Sequence, residues 1–172
     1  EPYQPFYTMA DLKKITLYRG AEIITLKGTV RITFDTAAAP FTVLNFILLT
    51  EKKFYDGLSF HRVVSNFVVQ GGDPLGNGSG GPDYSIRTEV HPATLYRSGA
   101  VGIPNGSILR DRRMIGMASS GKDTEGSQFF IIHSSQPHLD YRYTIFASTL
   151  DAPVVDQLQV GDIILSCSLI KR

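Results

Sequence analysis

Along residues 28–35, Val30, Ile32 and Phe34 alternate with Thr29, Arg31, Thr33 and Asp35. A period of two places the two sets on opposite faces of a half-buried strand. Residues 37–53 follow another period. Pro40 suits a first helical turn, where its missing N–H costs nothing, and Val43, Leu44, Ile47 and Leu48 recur at helical spacing until Asp56-Gly57 closes the segment. Beyond Gly57, short apolar runs at 58–64, 67–70, 114–119, 128–133, 143–148 and 163–170 are parted by clusters of Gly, Pro, Asn and Asp. That is the layout of an antiparallel sandwich or barrel. A second short helix is expected at 153–159. The one long interruption, 71–113, is of a length that in compact domains usually carries function. Residues 1–20 show no clean period and read as an N-terminal extension wrapped on the surface or the remnant of a linker, with 21–172 as a single domain.

Composition narrows the class without changing this layout. A chain of 172 residues and 19.0 kDa holds one well-packed core. Hydrophobic residues at 42% and charged residues at 19% indicate a folded globule. With Lys+Arg 17 against Asp+Glu 16, a formal charge of +1 supplies no field for nucleic acid or anionic lipid. Cys167 is alone, so neither an intrachain disulfide nor a thiolate metal cluster can form, and packing is its expected role. No run approaches the roughly 18 apolar residues of a membrane span, and Glu1-Pro2-Tyr3-Gln4 lacks the pattern of a secretion signal. The compartment, cytoplasmic or periplasmic, stays open. The start without Met is taken to mean a cut from something longer, so a monomer or one domain of a longer chain is expected.

Several familiar patterns fail on context. Residues 76–81, Gly-Asn-Gly-Ser-Gly-Gly, satisfy G-x-G-x-x-G, but Pro82-Asp83 follows where a helix should open on pyrophosphate, so a flexible turn is expected. Residues 116–122 approach a P-loop, yet Asp123 stands where a hydroxyl should reach Mg²⁺ and would repel phosphate. His61, His91, His133 and His138 have no metal-ligand spacing, and no nucleophile motif occurs, so neither metal nor cofactor is expected. His61 reads as a satisfied core or rim histidine. Asn77-Gly78-Ser79 and Asn105-Gly106-Ser107 are sequons that by default are turns.

What remains is a concentration of Phe60, Phe67, Phe129 and Phe130 with Arg62, Gln70 and Gln128 in or beside short strands. Aromatics alone would signify core. An Arg two residues after Phe60 on a mostly apolar strand is different, because a guanidinium is rarely buried without a partner. An apolar pocket edged by an Arg and two amides would hold a neutral, proline-sized group and direct hydrogen bonds at its amide.

Residues 54–63 (Phe-Tyr-Asp-Gly-Leu-Ser-Phe-His-Arg-Val), 67–74 (Phe-Val-Val-Gln-Gly-Gly-Asp-Pro) and 126–131 (Gly-Ser-Gln-Phe-Phe-Ile) resemble the signature segments of cyclophilins, the peptidyl-prolyl cis-trans isomerases. The resemblance runs from about residue 22 to the C-terminus and is nearest to bacterial members around 121–126 and 138–140. It implies a mainly β fold, a closed eight-stranded antiparallel barrel capped by two α-helices, with an active groove on the outer face. Carried over by position, Arg62 matches the catalytic arginine, supported by Gln70 and Phe67. Phe67, Phe130 and Leu139 match the floor of the proline pocket, and Val68 stands where many members have Met. Gln70 and Gln128 match the amides that hold Arg62 and the substrate backbone. Ser119 and Ser120 occupy the stretch that pairs with the substrate main chain, and Tyr143 falls where animal members carry His. His138 stands at the Trp position associated with tight cyclosporin binding. Asp140-Tyr141 replaces the usual Asp-Gly turn, so Tyr141 is expected to need a glycine-like backbone angle. The 102–113 stretch is longer than in compact members.

The resemblance implies an isomerase acting on proline-containing peptides and on unfolded or client proteins, without cofactor, nucleic acid or membrane insertion. The alternative is a module that binds a proline-containing segment with little turnover. A third reading is a scaffold that acts through residues 1–20.

Overall fold

The computed structural model describes residues 7–90, 113–134 and 142–172. Eight strands, β1 (Tyr18–Thr25), β2 (Gly28–Phe34), β3 (Arg62–Val64), β4 (Val68–Gly71), β5 (Arg113–Met117), β6 (Phe129–Ile132), β7 (Ile145–Thr149) and β8 (Ser166–Lys171), form one sheet in the order β3-β4-β6-β5-β7-β2-β1-β8. Every pairing is antiparallel. Among the described residues three helices accompany it: α1 (Met9–Leu17), α2 (Pro40–Glu51) and the single turn α3 (Ala152–Val155).

The expected closed barrel is met in part. The sheet is open and curled, with β3 and β8 at its edges and no ladder between them. Instead the segments leading into those strands meet: Ile164 N–H donates to Leu58 O at 2.8 Å, Phe60 N–H to Asp162 O at 2.9 Å, and Ser59 bridges Ile163. This shortens the expected 58–64 strand to Arg62–Val64, because residues 57–60 spend their backbone groups on 161–164.

Alternation explains the two faces. In β2, Val30, Ile32 and Phe34 turn inward and are buried, as their period requires. The inner faces join Phe46, Tyr55, Phe60, Phe129 and Phe146 in one core, with Phe46 stacked on Tyr55 at 4.9 Å and edge-on to Phe129 at 6.0 Å. A second, smaller cluster, Val68, Met114, Phe130, Ile132 and Ile145, lies apart from the core. The register places its residues on the opposite face: Val69 and Phe129 point in, so Val68 and Phe130 point out.

Helix α2 is apolar nearly all round because it is sandwiched, with the sheet on one side and α1 on the other. Its N-cap Ala39 has no side-chain acceptor, and the deficit is met from elsewhere. Glu89 accepts the N–H groups of Phe41 and Thr42, at 3.3 and 2.6 Å, and the Thr42 hydroxyl at 2.7 Å. Burial pushes the Glu89 carboxyl up, while those bonds oppose the shift.

The helix expected at 153–159 is the single turn Ala152–Val155, and two further elements, α1 and β1, have no expected counterpart. Residues 9–17, read as part of an extension without period, form α1. A capping box starts it, Thr8 Oγ1 accepting Asp11 N–H and Asp11 Oδ2 accepting Thr8 N–H, both at 3.0 Å. Lys14 then pairs with Glu51 on α2 at 2.7 Å, and Tyr7 stacks on Phe41 at 5.9 Å. Strand β1 has a weak local pattern: Ala21, Ile23 and Thr25 alternate inward, but Ala21 is too small and Thr25 too polar to show as apolar. Cys167 packs as expected, buried beside Thr50 at 3.9 Å, and burial pushes its thiol up to about 12. No helix among the described residues is long and apolar enough to cross a membrane.

Candidate active site

The outer cluster floors a concavity of about 190 Å³. For scale, a cavity of about 150 Å³ admits benzene, so a five-membered ring fits. Val68 and Phe130, 3% and 5% exposed, form its base with Ala118; Tyr143 meets Phe130 edge-on at 5.5 Å. Arg62, Phe67, Gln70 and Ser119 complete the lining. The sheet register creates this set. Arg62 lies opposite Gln70, Gln70 opposite Phe130, and Phe130 opposite Gly116, a row running across β3, β4, β6 and β5.

Along that row runs a chain of polar contacts. Arg62 Nη1 donates to Gln70 Oε1 at 3.4 Å, and its guanidinium carbon stands 5.8 Å from the centroid of the Phe67 ring. Gln70 Nε2 donates to Gln128 Oε1 at 3.0 Å. Gln128 Nε2 then donates to the carbonyls of Gly78 and Gly80, at 2.9 and 3.0 Å. The amide expected to meet substrate backbone therefore grips the glycine loop in this conformation. An exposed cation is thus held at the rim of an apolar hollow by three successive hydrogen-bonded groups.

The glycine loop is a turn, as expected, and it is tied down at its base. Asp73 Oδ1 accepts Leu75 N–H at 2.8 Å, while Oδ2 accepts Asn77 and Gly78 N–H at 2.9 and 2.5 Å. Gly72, at φ +88°, permits the approach beneath it: a Cβ there would sit 2.6 Å from Ser127 O. His61 departs from its expected satisfied state. Both its ring nitrogens are shielded without a hydrogen-bond partner among the described residues.

Of the residues assigned from sequence, Arg62, Phe67, Val68, Gln70, Ser119, Phe130 and Tyr143 line one concavity, and Gln128 supports it from behind. Ser120 does not join them; it lines an adjoining concavity with Ser119 and Tyr143, and its N–H donates to Thr124 Oγ1 at 2.8 Å. His138, Leu139 and Tyr141 lie outside the described residues, as do 102–112 of the long loop and Asn105. Sequence reasoning missed Ala118 and Gly116. The alternation of the 114–119 run could have placed Gly116 on the Met114 face, but the ring it faces belongs to β6.

Comparison with known proteins identifies the family. Residues 21–163 match the profile of a family described as cyclophilin type peptidyl-prolyl cis-trans isomerase/CLD. A peptidyl-prolyl cis-trans isomerase of Synechococcus elongatus is 43% identical over 149 residues, covering 85% of this chain and 92% of that protein. Peptidyl-prolyl cis-trans isomerase B of Bacillus subtilis is 50% identical over 111 residues, covering 63% and 67%. Among solved structures, a cyclophilin type isomerase of Cryptosporidium parvum superposes with a TM-score of 0.73 at 26% identity, covering 90% of this chain and 99% of that one. The same protein was also crystallised in the presence of the dipeptide Ala-Pro, with a TM-score of 0.72 to this chain. With this fold, this outer-face concavity and these relatives, the chain belongs to the cyclophilin-type peptidyl-prolyl cis-trans isomerase family.

Proposed function

We propose that the chain accelerates cis-trans rotation about X-Pro bonds in peptides and folding proteins, with Arg62 as the catalytic donor and the Val68–Phe130 hollow as the proline seat. The observation that carries the reading is the row itself: a guanidinium held by Gln70 at the rim of an apolar concavity of ring size. Amide rotation faces a barrier of roughly 18–20 kcal/mol because nitrogen lone-pair resonance must be broken. No proton transfer or covalent step is required. At the top of the barrier the proline nitrogen is pyramidal and basic, so an Arg62 N–H aimed at it interacts more strongly than in the planar ground state. The hollow holds the ring while the rest of the peptide turns, and it excludes water from the contact. A millionfold acceleration needs about 8 kcal/mol, which exceeds one hydrogen bond and is shared with orientation of the flanking peptide along Ser119 and Gln128.

Gly116 carries a further consequence. A Cβ at that position would lie 2.5 Å from Phe130 Cζ and 3.0 Å from Ile145 Cδ1. Gly116→Ala is expected to tilt the pocket floor, raising KM more than it lowers kcat, and to cost about 1–3 kcal/mol of stability. Thermal unfolding with steady-state kinetics checks both.

The function is tested on a protein whose refolding is limited by a proline isomerisation of tens of seconds or more. Substoichiometric chain is expected to accelerate that phase in proportion to its concentration. Slowing only at stoichiometric amounts would instead make the protein a binding module for proline-containing segments.

A further inference from the structure

The proline-sized hollow has a neighbour. A wider concavity of about 780 Å³ shares Ser119 and Tyr143 with it and extends over Ser120, Thr88, Lys122 and Arg142. Among the described residues its charged lining is entirely cationic. Two acidic groups of the same loop stand next to the hollow, outside its lining but bonded to Thr88 within it: Asp123 Oδ1 accepts Thr88 N–H at 2.9 Å, and Glu125 Oε1 accepts the Thr88 hydroxyl at 2.6 Å. The ion pairs among the described residues join Lys14 to Asp11 and Glu51, Lys27 to Asp162, Arg31 to Glu22 and Arg113 to Asp156. Neither Lys122 nor Arg142 takes part in them. Among the described residues, Lys122 and Arg142 are thus the charged members of a lining that also holds Ser119 and Ser120 and includes no carboxylate.

We propose that this second hollow receives the carboxylate of an acidic side chain on the same peptide whose proline occupies the first, so that the protein selects X-Pro segments with an Asp or Glu nearby. The inference rests on the isomerase reading above and names its substrate class. Continuity decides in its favour over a separate ligand. An extended chain advances roughly 3.3 Å per residue, so one leaving the proline seat past Ser119 and Tyr143 enters the second hollow within a few residues. The sign of the lining then fixes the preferred side chain. Both cations are exposed, so the preference is modest and sensitive to salt.

Matched peptides with a single proline test this, each carrying Glu, Gln or Lys at one position scanned from three residues before the proline to three after. Turnover is read by NMR exchange. At one or two positions the Glu peptide is expected to exceed the Gln peptide by about two- to fivefold in kcat/KM, with Lys below Gln. The advantage should shrink at about 0.5 M salt, where screening is nearly complete beyond contact. A Lys122→Glu, Arg142→Glu double variant should invert it, with the Lys peptide then exceeding the Glu peptide at those positions. Equal turnover of Glu, Gln and Lys peptides at every position overturns the proposal and leaves the isomerase reading standing. A Glu preference that survives charge reversal overturns the assignment to Lys122 and Arg142. Exchange with no peptide at all overturns both readings.

Discussion

Arg62→Ala is expected to lower kcat/KM for an X-Pro peptide by about 10²-fold, the loss typical of removing one donor aimed at transition-state charge. The fold should not register the change. Arg62 is exposed, and its contacts are a long 3.4 Å bond to Gln70 and a guanidinium placed 5.8 Å from the Phe67 centroid. Surface substitutions of this kind usually alter stability by less than about 0.5 kcal/mol. Arg62→Lys is expected to recover only part of the activity. A single ammonium lacks the planar fork that lets one N–H hold Gln70 while another faces the proline nitrogen. Turnover together with thermal unfolding separates these effects. Loss of activity accompanied by loss of the folded state would remove the support for a catalytic role.

Asp73→Ala is expected to destabilise the protein by about 2–3 kcal/mol and to reduce kcat/KM by roughly three- to tenfold at temperatures where it stays folded. Asp73 is 1% exposed and accepts three backbone N–H groups, which lose a charged acceptor in the variant. Residues 74–79 are exposed, so water partly replaces those bonds and limits the cost. Activity suffers through the loop. Gly78 and Gly80 present the carbonyls that hold Gln128, which holds Gln70, which holds Arg62.

The same carboxylate sets an acid limit. Burial alone would raise the Asp73 carboxyl, but the N–H groups of Leu75, Gly78 and Asn77 outweigh it and hold the group below the usual carboxylate range. A pKa lower in the folded state means that its contribution is full above the unfolded value, near 3.9, and is lost as pH falls through the folded value. The melting-temperature gap between wild type and Asp73→Ala should therefore narrow below about pH 4. A gap unchanged down to about pH 2 would contradict the assignment.

How much of this was written in local sequence differs by element. Strand β2 and helix α2 were legible because their apolar positions repeat at 2 and 3.6 with nothing to obscure them. Strand β1 was not, since its inward set opens on Ala21, too small to show as apolar, and closes on the polar Thr25. Helix α1 carried a local signal, Thr8 followed three residues later by Asp11, hidden behind two prolines and an irregular start. The cap on α2 had no local signal at all. Glu89 reaches Thr42 across 47 residues of sequence, and only the tertiary fold brings them together. The site divides in the same way. Arg62, Gln70, Gln128 and Phe130 were recognisable as types gathered on short strands. Their common face depends on three strand registers, and the turn of Gln128 toward Gly78 and Gly80 depends on a loop that Asp73 folds. The expected closure is met only in part: β3 and β8 share no ladder, and the contact between the two edges is made by segments 57–60 and 161–164, whose pairing no local pattern announces.

The most direct test is NMR exchange spectroscopy on a short X-Pro peptide, with catalytic amounts of wild type and of Arg62→Ala measured side by side. The account predicts cross peaks between the cis and trans resonances with wild type, fading by about 10²-fold in rate with the variant while both proteins remain folded. Peptide line shifts without exchange under wild type, or equal exchange rates for the two proteins, would contradict it.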